Sequence, residues 1–130
     1  MALYRAGIRL TVDGGTADEA ERRCRLVLTA WEGLGLIGLA AEAGADGAFR
    51  LAVPRDTSAG GDARPVWVIE AQVLVLHPFE LAVDAEPAER EAVLRRVLDD
   101  LNQNQAFFRP PSAGEVRVGR FDEVALTEQL

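Results

Sequence analysis

Val66-Trp67-Val68-Ile69-Glu70-Ala71-Gln72-Val73-Leu74-Val75-Leu76 is the longest run of strand-forming residues in the chain. Trp67, Ile69, Ala71, Val73 and Val75 make one unbroken apolar face. Val66, Val68, Glu70, Gln72, Leu74 and Leu76 make the other, which is mixed. A period of two with one apolar face is a strand with core on one side. Pro78 ends it, because proline cannot donate to a strand ladder. Leu3 to Asp13 alternates in the same way. Tyr4, Ala6, Ile8, Leu10 and Val12 fall on one side, and Arg5, Arg9, Thr11 and Asp13 on the other. Two such strands call for an antiparallel sheet that is covered on its apolar face.

The cover comes from two helices. Thr16 to Glu19 reads as a capping box, and Ala20, Cys24, Val27, Leu28 and Trp31 recur at helical spacing up to about Trp31. Asp18–Arg22, Glu19–Arg23 and Glu21–Arg25 are acid-to-arginine pairs one turn apart, which set the opposite face in solvent. Gly33 and Gly35 stop this helix. Pro87 opens the second, whose core stripe is Leu94, Val97, Leu98 and Leu101. Asn102 to Gln105 unwinds its end.

The remaining chain supplies shorter strands. Leu36 to Ala43 and Ala48 to Arg55 are expected as two strands joined by Gly44-Ala45-Asp46-Gly47, with Phe49, Leu51 and Val53 on one face. Asp56 to Arg64 reads as a loop. After Pro110-Pro111, Val116, Val118 and Phe121 suggest a last strand, and Val124 to Leu130 either starts a short helix or frays. The expected order is β-α-β-β-β-α-β: an α+β fold, ferredoxin-like with one extra strand, both helices on one face of an antiparallel sheet. Residues 1–130 form one domain in this reading.

Composition narrows the chemistry. Apolar residues make up 48% and charged residues 27% of 130 residues, a globular balance. The net charge of −7 argues against general affinity for nucleic acid, whose binding rests on neutralising phosphates. All basic residues are arginine, so lysine chemistry is absent. One cysteine excludes an internal disulfide and cysteine-based zinc sites. The most apolar stretch, Leu34 to Ala41, is about half the roughly 20 residues of a membrane helix, and the first residues lack the features of a signal peptide. A soluble cytoplasmic protein with no cofactor and no metal is the expectation.

Each candidate motif has an ordinary reading beside a chemical one. Gly33-Leu34-Gly35-Leu36-Ile37-Gly38 matches G-x-G-x-x-G, but follows a helix instead of opening one, so the helix dipole is reversed for phosphate binding. His77 is the only histidine. It reads as a structural imidazole, or as a lone acid/base or ligand contact. Cys24, on the buried helix stripe, reads as a small apolar residue, with a nucleophile as its chemical alternative, which would need exposure and a lowered pKa. Asp99 and Asp100 diverge around a helix, cannot clamp one metal, and read as solvated. Phe107-Phe108 either locks the chain after the second helix onto the core, the favoured reading, or touches a partner.

The most informative surface is the sheet face turned away from the helices. It holds Arg5, Arg9, Arg50, Glu70, Gln72 and Arg117 among Val66, Val68, Leu74 and Leu76. Either arginines and Glu70 pair across strands on a wet sheet, or apolar area bordered by arginine marks an interface. The residues expected to meet a partner are Arg5, Arg9, Arg50, Val68, Glu70, Gln72 and Leu74.

Val93 to Val124 contains Val-Leu-Arg-Arg-Val-Leu-Asp-Asp-Leu-Asn ending at Asn102, then Gln-Asn-Gln-Ala-Phe-Phe-Arg, then Gly-Glu-Val-Arg-Val. This resembles the helix ending in Leu-Asn, and the strand region after it, of type III secretion chaperones and related bacterial sensory-transduction-like domains. The resemblance covers Thr16 to Val124 in plan. It implies a small acidic homodimer that binds other proteins. The departures are an added N-terminal strand and no full C-terminal helix. A non-enzymatic, homodimeric protein-binding module follows as the functional expectation. The alternative is a ferredoxin-like dimeric-barrel enzyme or ligand-binding domain using His77, Tyr4 and the arginines.

Overall fold

A computed structural model describes residues 2–38, 47–57, 65–79, 81, 84–108 and 116–129. The elements in chain order are β1 (Ala2–Asp13), α1 (Ala17–Gly33), β2 (Phe49–Leu51), β3 (Arg55–Asp56), β4 (Val66–His77), α2 (Pro87–Gln103), a 3-10 turn (Gln105–Phe108) and β5 (Val116–Gln129). Among the described residues no helix is long and apolar enough to cross a membrane.

The alternating strands pair along their full length. β1 runs antiparallel to β4 from Ala2 opposite His77 to Asp13 opposite Val66. Its other edge pairs antiparallel with β5. β2 and β3 both lie antiparallel along the outer edge of β4. A regular continuation of the β2 register would set Pro54 against Val68, but Arg55 takes that place. One extra residue therefore bulges out beside a proline that has no N–H to give. This is why Val53 does not join Phe49 and Leu51 on the core and is instead 85% exposed.

Taking β2 and β3 as one bulged edge strand, the order is β2-β4-β1-β5. β1 and β2 are parallel with β4 antiparallel between them, and β4 and β5 are parallel with β1 between them. That is the split βαβ plan of ferredoxin-like folds. α1 packs on β1, β2 and β4, while α2 packs on β5. Their stripes share one core with the inner sheet face: Cys24, Leu28 and Trp31 from α1, Val97 and Leu101 from α2, and Tyr4, Ile8, Ile69 and Val73 from the sheet. Phe108 closes it, edge-on to Trp31 at 5.2 Å and to Phe121 at 5.0 Å. The side chain of Phe107 lies outside the described residues.

Local signals end the elements as anticipated. Glu19 N–H donates to Thr16 Oγ1 at 3.2 Å, and the acid–arginine pairs Glu19–Arg23, Glu21–Arg25 and Glu91–Arg95 form. Two further expectations fail. Residues 36–38 bend and do not start a strand, because Gly35 and Gly38 take φ of +76° and +84°. The rest of the 36–43 strand and the turn at 44–47 fall largely outside the described residues, as does most of the 56–64 loop. The second failure is at the C-terminus, where β5 runs on through Gln129 in place of a helix or frayed end. Val116, Val118, Phe121, Val124 and Leu126 face the core at spacings of two and three. Irregular pairing against Gly7–Leu10 inserts extra residues, which disguises a bulged strand as a helical repeat.

Candidate partner-binding face

Register decides what shares the sheet face away from the helices, because directly opposed residues of antiparallel strands point the same way. Arg50 lies opposite Gln72, Gln72 opposite Gly7, and Gly7 opposite Glu123. These four positions form one row across the sheet. Beside it, Arg9 lies opposite Glu70 and bonds it through Nε at 3.1 Å. Arg55 approaches the same carboxylate at 4.0 Å. Arg117, at the far end of the face, bonds both carboxylate oxygens of Asp13, with Nη2 to Oδ1 at 3.1 Å. Each of these pairs is exposed and adds about 0–1 kcal/mol, so they order side chains more than they stabilise the fold.

Glycine at position 7 leaves a dent in the middle of the row. A Cβ there would stand 2.7 Å from Glu123 Cγ, so the acidic side chain lies over the space a larger residue would fill. A hollow of about 130 Å³ opens there, lined by Arg5, Gly7, Gln72, Glu123, Val124 and Ala125. A second, of about 250 Å³, lies on the other side of Gln72, between it, Glu70 and Arg50. Both fall short of the ~300–1,000 Å³ of small-molecule sites.

The face brings the expected residues together but does not present all of them. Arg9, Arg50 and Gln72 are exposed, and Arg5 and Glu70 are half-buried. Leu74 is 0% exposed and Val68 9%, so neither offers surface to a partner. Leu74 instead packs with Leu3 as a second small apolar cluster. Val66 and Leu76 are half-buried. Of the mixed residues of β4, Leu74 therefore belongs to a satellite core, and Arg9, Arg50 and Gln72 are the exposed members of the expected set.

His77 is not placed for acid–base work. Its Nδ1 accepts the Phe79 N–H at 3.2 Å, so the ring proton sits on Nε2 and is donated to Asp100 Oδ2 at 2.8 Å. Both nitrogens are engaged, and the ring is 5% exposed. Tyr4 Oη donates to the carbonyl of Phe79, and the Arg96 guanidinium covers the Phe79 ring at 4.7 Å. The cluster fastens the end of β4 to α2. Asp100 is thus a clamp residue and not the solvated acid expected from sequence, whereas Asp99 is exposed. Phe79, Arg96, Asp99, Asp100 and Gln103 line an open groove of about 260 Å³ beside it.

Two further clamps escape sequence reading. Asn102 donates from Nδ2 to the Phe121 carbonyl at 2.9 Å and accepts the Phe121 N–H on Oδ1 at 2.8 Å. Its amide completes the backbone bonding of β5 as a neighbouring strand would. Gln105 Nε2 donates to the Gly119 carbonyl. A leucine-asparagine at a helix end was the only signal for the first of these. Burial pushes the Cys24 thiol up to about 12, which leaves it inert at neutral pH. The G-x-G-x-x-G stretch lies at the C-terminal end of α1, away from any helix N-terminus. Among the described residues no three His, Cys, Asp or Glu side chains gather to hold a metal ion.

No family model, curated protein or solved structure matches this chain.

Proposed function

We propose that this chain is a non-enzymatic protein-binding module, adaptor or chaperone-like, that works as a homodimer. The observation that carries the reading is the second sheet face. Both helices lie on the other side, and among the described residues no helix covers the row Arg50–Gln72–Gly7–Glu123. Exposed charge of both signs around small hollows suits contact with a protein surface better than enclosure of a small molecule. The engagement of both His77 nitrogens speaks against the enzyme reading, which would use His77 with Tyr4 and the arginines. The net charge of −7 speaks against nucleic acid. The resemblance of the α2–β5 stretch to secretion-chaperone-like domains points the same way.

Light scattering on the whole chain tests the dimer: a mass of twice 14.1 kDa is expected, and a monomer at high micromolar concentration sinks it. Affinity capture from the native host, with mass spectrometry, then tests the binding role. A protein enriched by the wild type and lost with Arg9→Glu supports it, and equal recovery by both opposes it.

A further inference from the structure

His77-Pro78-Phe79 ends β4 with a bond that depends on this order of residues. His77 continues the inner face of β4 after Val75, and its ring reaches α2. Pro78 has no N–H, so the first backbone donor beyond the strand is Phe79. That N–H donates to His77 Nδ1 at 3.2 Å. On the other side of the ring, Nε2–H donates to Asp100 Oδ2 of α2 at 2.8 Å. One ring thus holds two parts of the fold: the chain leaving β4 through an acceptor, and α2 through a donor.

The two bonds answer a proton in opposite ways. A neutral imidazole has one donor and one acceptor, and an imidazolium has two donors. Nε2 already carries a hydrogen, so an incoming proton goes to Nδ1. There it faces the Phe79 N–H, donor against donor, and that bond is lost. Nε2–H now belongs to a cation and is held harder by the Asp100 carboxylate, because a hydrogen bond between ions is about twice as strong as a neutral one. We infer that His77 is a proton-operated latch: a proton from solvent on Nδ1 releases Phe79 from the end of β4 and leaves the ring tied to α2.

The surroundings add to the release. The Phe79 ring lies 4.5 Å from the imidazole and is covered by the Arg96 guanidinium at 4.7 Å. Protonated His77 is a second cation beside a ring that one cation already covers, and like charges repel. The carbonyl of Phe79 still accepts from Tyr4 Oη. Among the described residues, the charged and titratable groups around the imidazole are Asp100, Asp99 and Arg96 from α2 and Tyr4 from β1. Phe79 and Arg96 line the groove of about 260 Å³ with Asp99, Asp100 and Gln103, so the effect of the proton is delivered to the surface. The latch lies on the helix side of the sheet and is independent of the homodimer proposed above.

The test is nuclear magnetic resonance on the whole chain, titrated from about pH 8 to about pH 5, the span in which imidazole side chains change charge. The Phe79 amide and the His77 ring are followed together. The amide shift should move along the same curve as the ring. Its protection from exchange, corrected for the intrinsic pH dependence, should fall at least ~5-fold. The Ile69 and Val73 amides, in the middle of β4, should keep theirs. His77→Gln carries no titratable ring and should abolish the Phe79 transition, with circular dichroism to confirm folding. A Phe79 amide that stays protected while the ring titrates overturns the latch, as does a ring that takes up no proton over the whole range. A Phe79 transition that persists in H77Q assigns it to another group and overturns the latch as well. If the variant does not fold, the titration of the wild type decides alone.

Discussion

Cys24 and His77 are the two side chains that sequence alone would nominate for chemistry, and their surroundings silence both. Burial raises the Cys24 thiol from an ordinary 9.0 to about 12. The folded protein should ignore a thiol reagent at pH 8 and react once denatured. The linkage has a definite sign. Between pH 9 and 12 the unfolded chain releases this proton and the folded chain keeps it, so stability falls as pH rises through that window. Cys24→Ala should flatten that slope, which urea unfolding at successive pH values would show. His77 acts by geometry. His77→Ala strands the Phe79 N–H and the Asp100 carboxylate, at a cost of about 1–3 kcal/mol. The melting temperature should drop by several degrees. Asp100→Asn keeps an oxygen for Nε2–H and should cost less; an equal loss would contradict the clamp.

β5 is the element whose form depends most on its neighbours. Its core residues are spaced irregularly, and what keeps it a strand is pairing with β1 together with the side-chain amides of α2. Asn102→Ala removes two hydrogen bonds at once. It should destabilise the protein by about 1–3 kcal/mol and speed exchange of the Phe121 amide at least ~10-fold. Exchange that stays slow would mean that β1 alone holds the bulge. The leucine-asparagine at the end of α2 thereby acquires a physical role here that is independent of any resemblance. At the opposite edge, Pro54 breaks β2 from β3. Pro54→Val restores a donor to that edge and should raise the aggregation rate, measurable by light scattering on heating.

For the whole molecule, the decisive property is a two-sided sheet with helices on one side. The inner side carries the core, and the outer side carries charge arranged in rows. If the charges of the outer face guide the assembly proposed above, salt should oppose it. The screening length falls from about 10 Å at 0.1 M to about 3 Å at 1 M. The dimer dissociation constant should therefore rise across that range, as sedimentation would show. A salt-indifferent dimer would point to an apolar interface elsewhere.

The long alternating strands, both helices, the Thr16 cap of α1 and the side of the sheet that holds the core were legible in the residue order. Each depends on the period of a short stretch, and a period needs no knowledge of what lies opposite. The row Arg50–Gln72–Gly7–Glu123 was not legible. It exists because four separate stretches of chain align in register, and pairing register is a relation between strands far apart in sequence. The burial of Leu74 and the bulges of β5 were hidden for the same reason. Alternation marks which residues share a face; only the assembled sheet decides which of them water can reach.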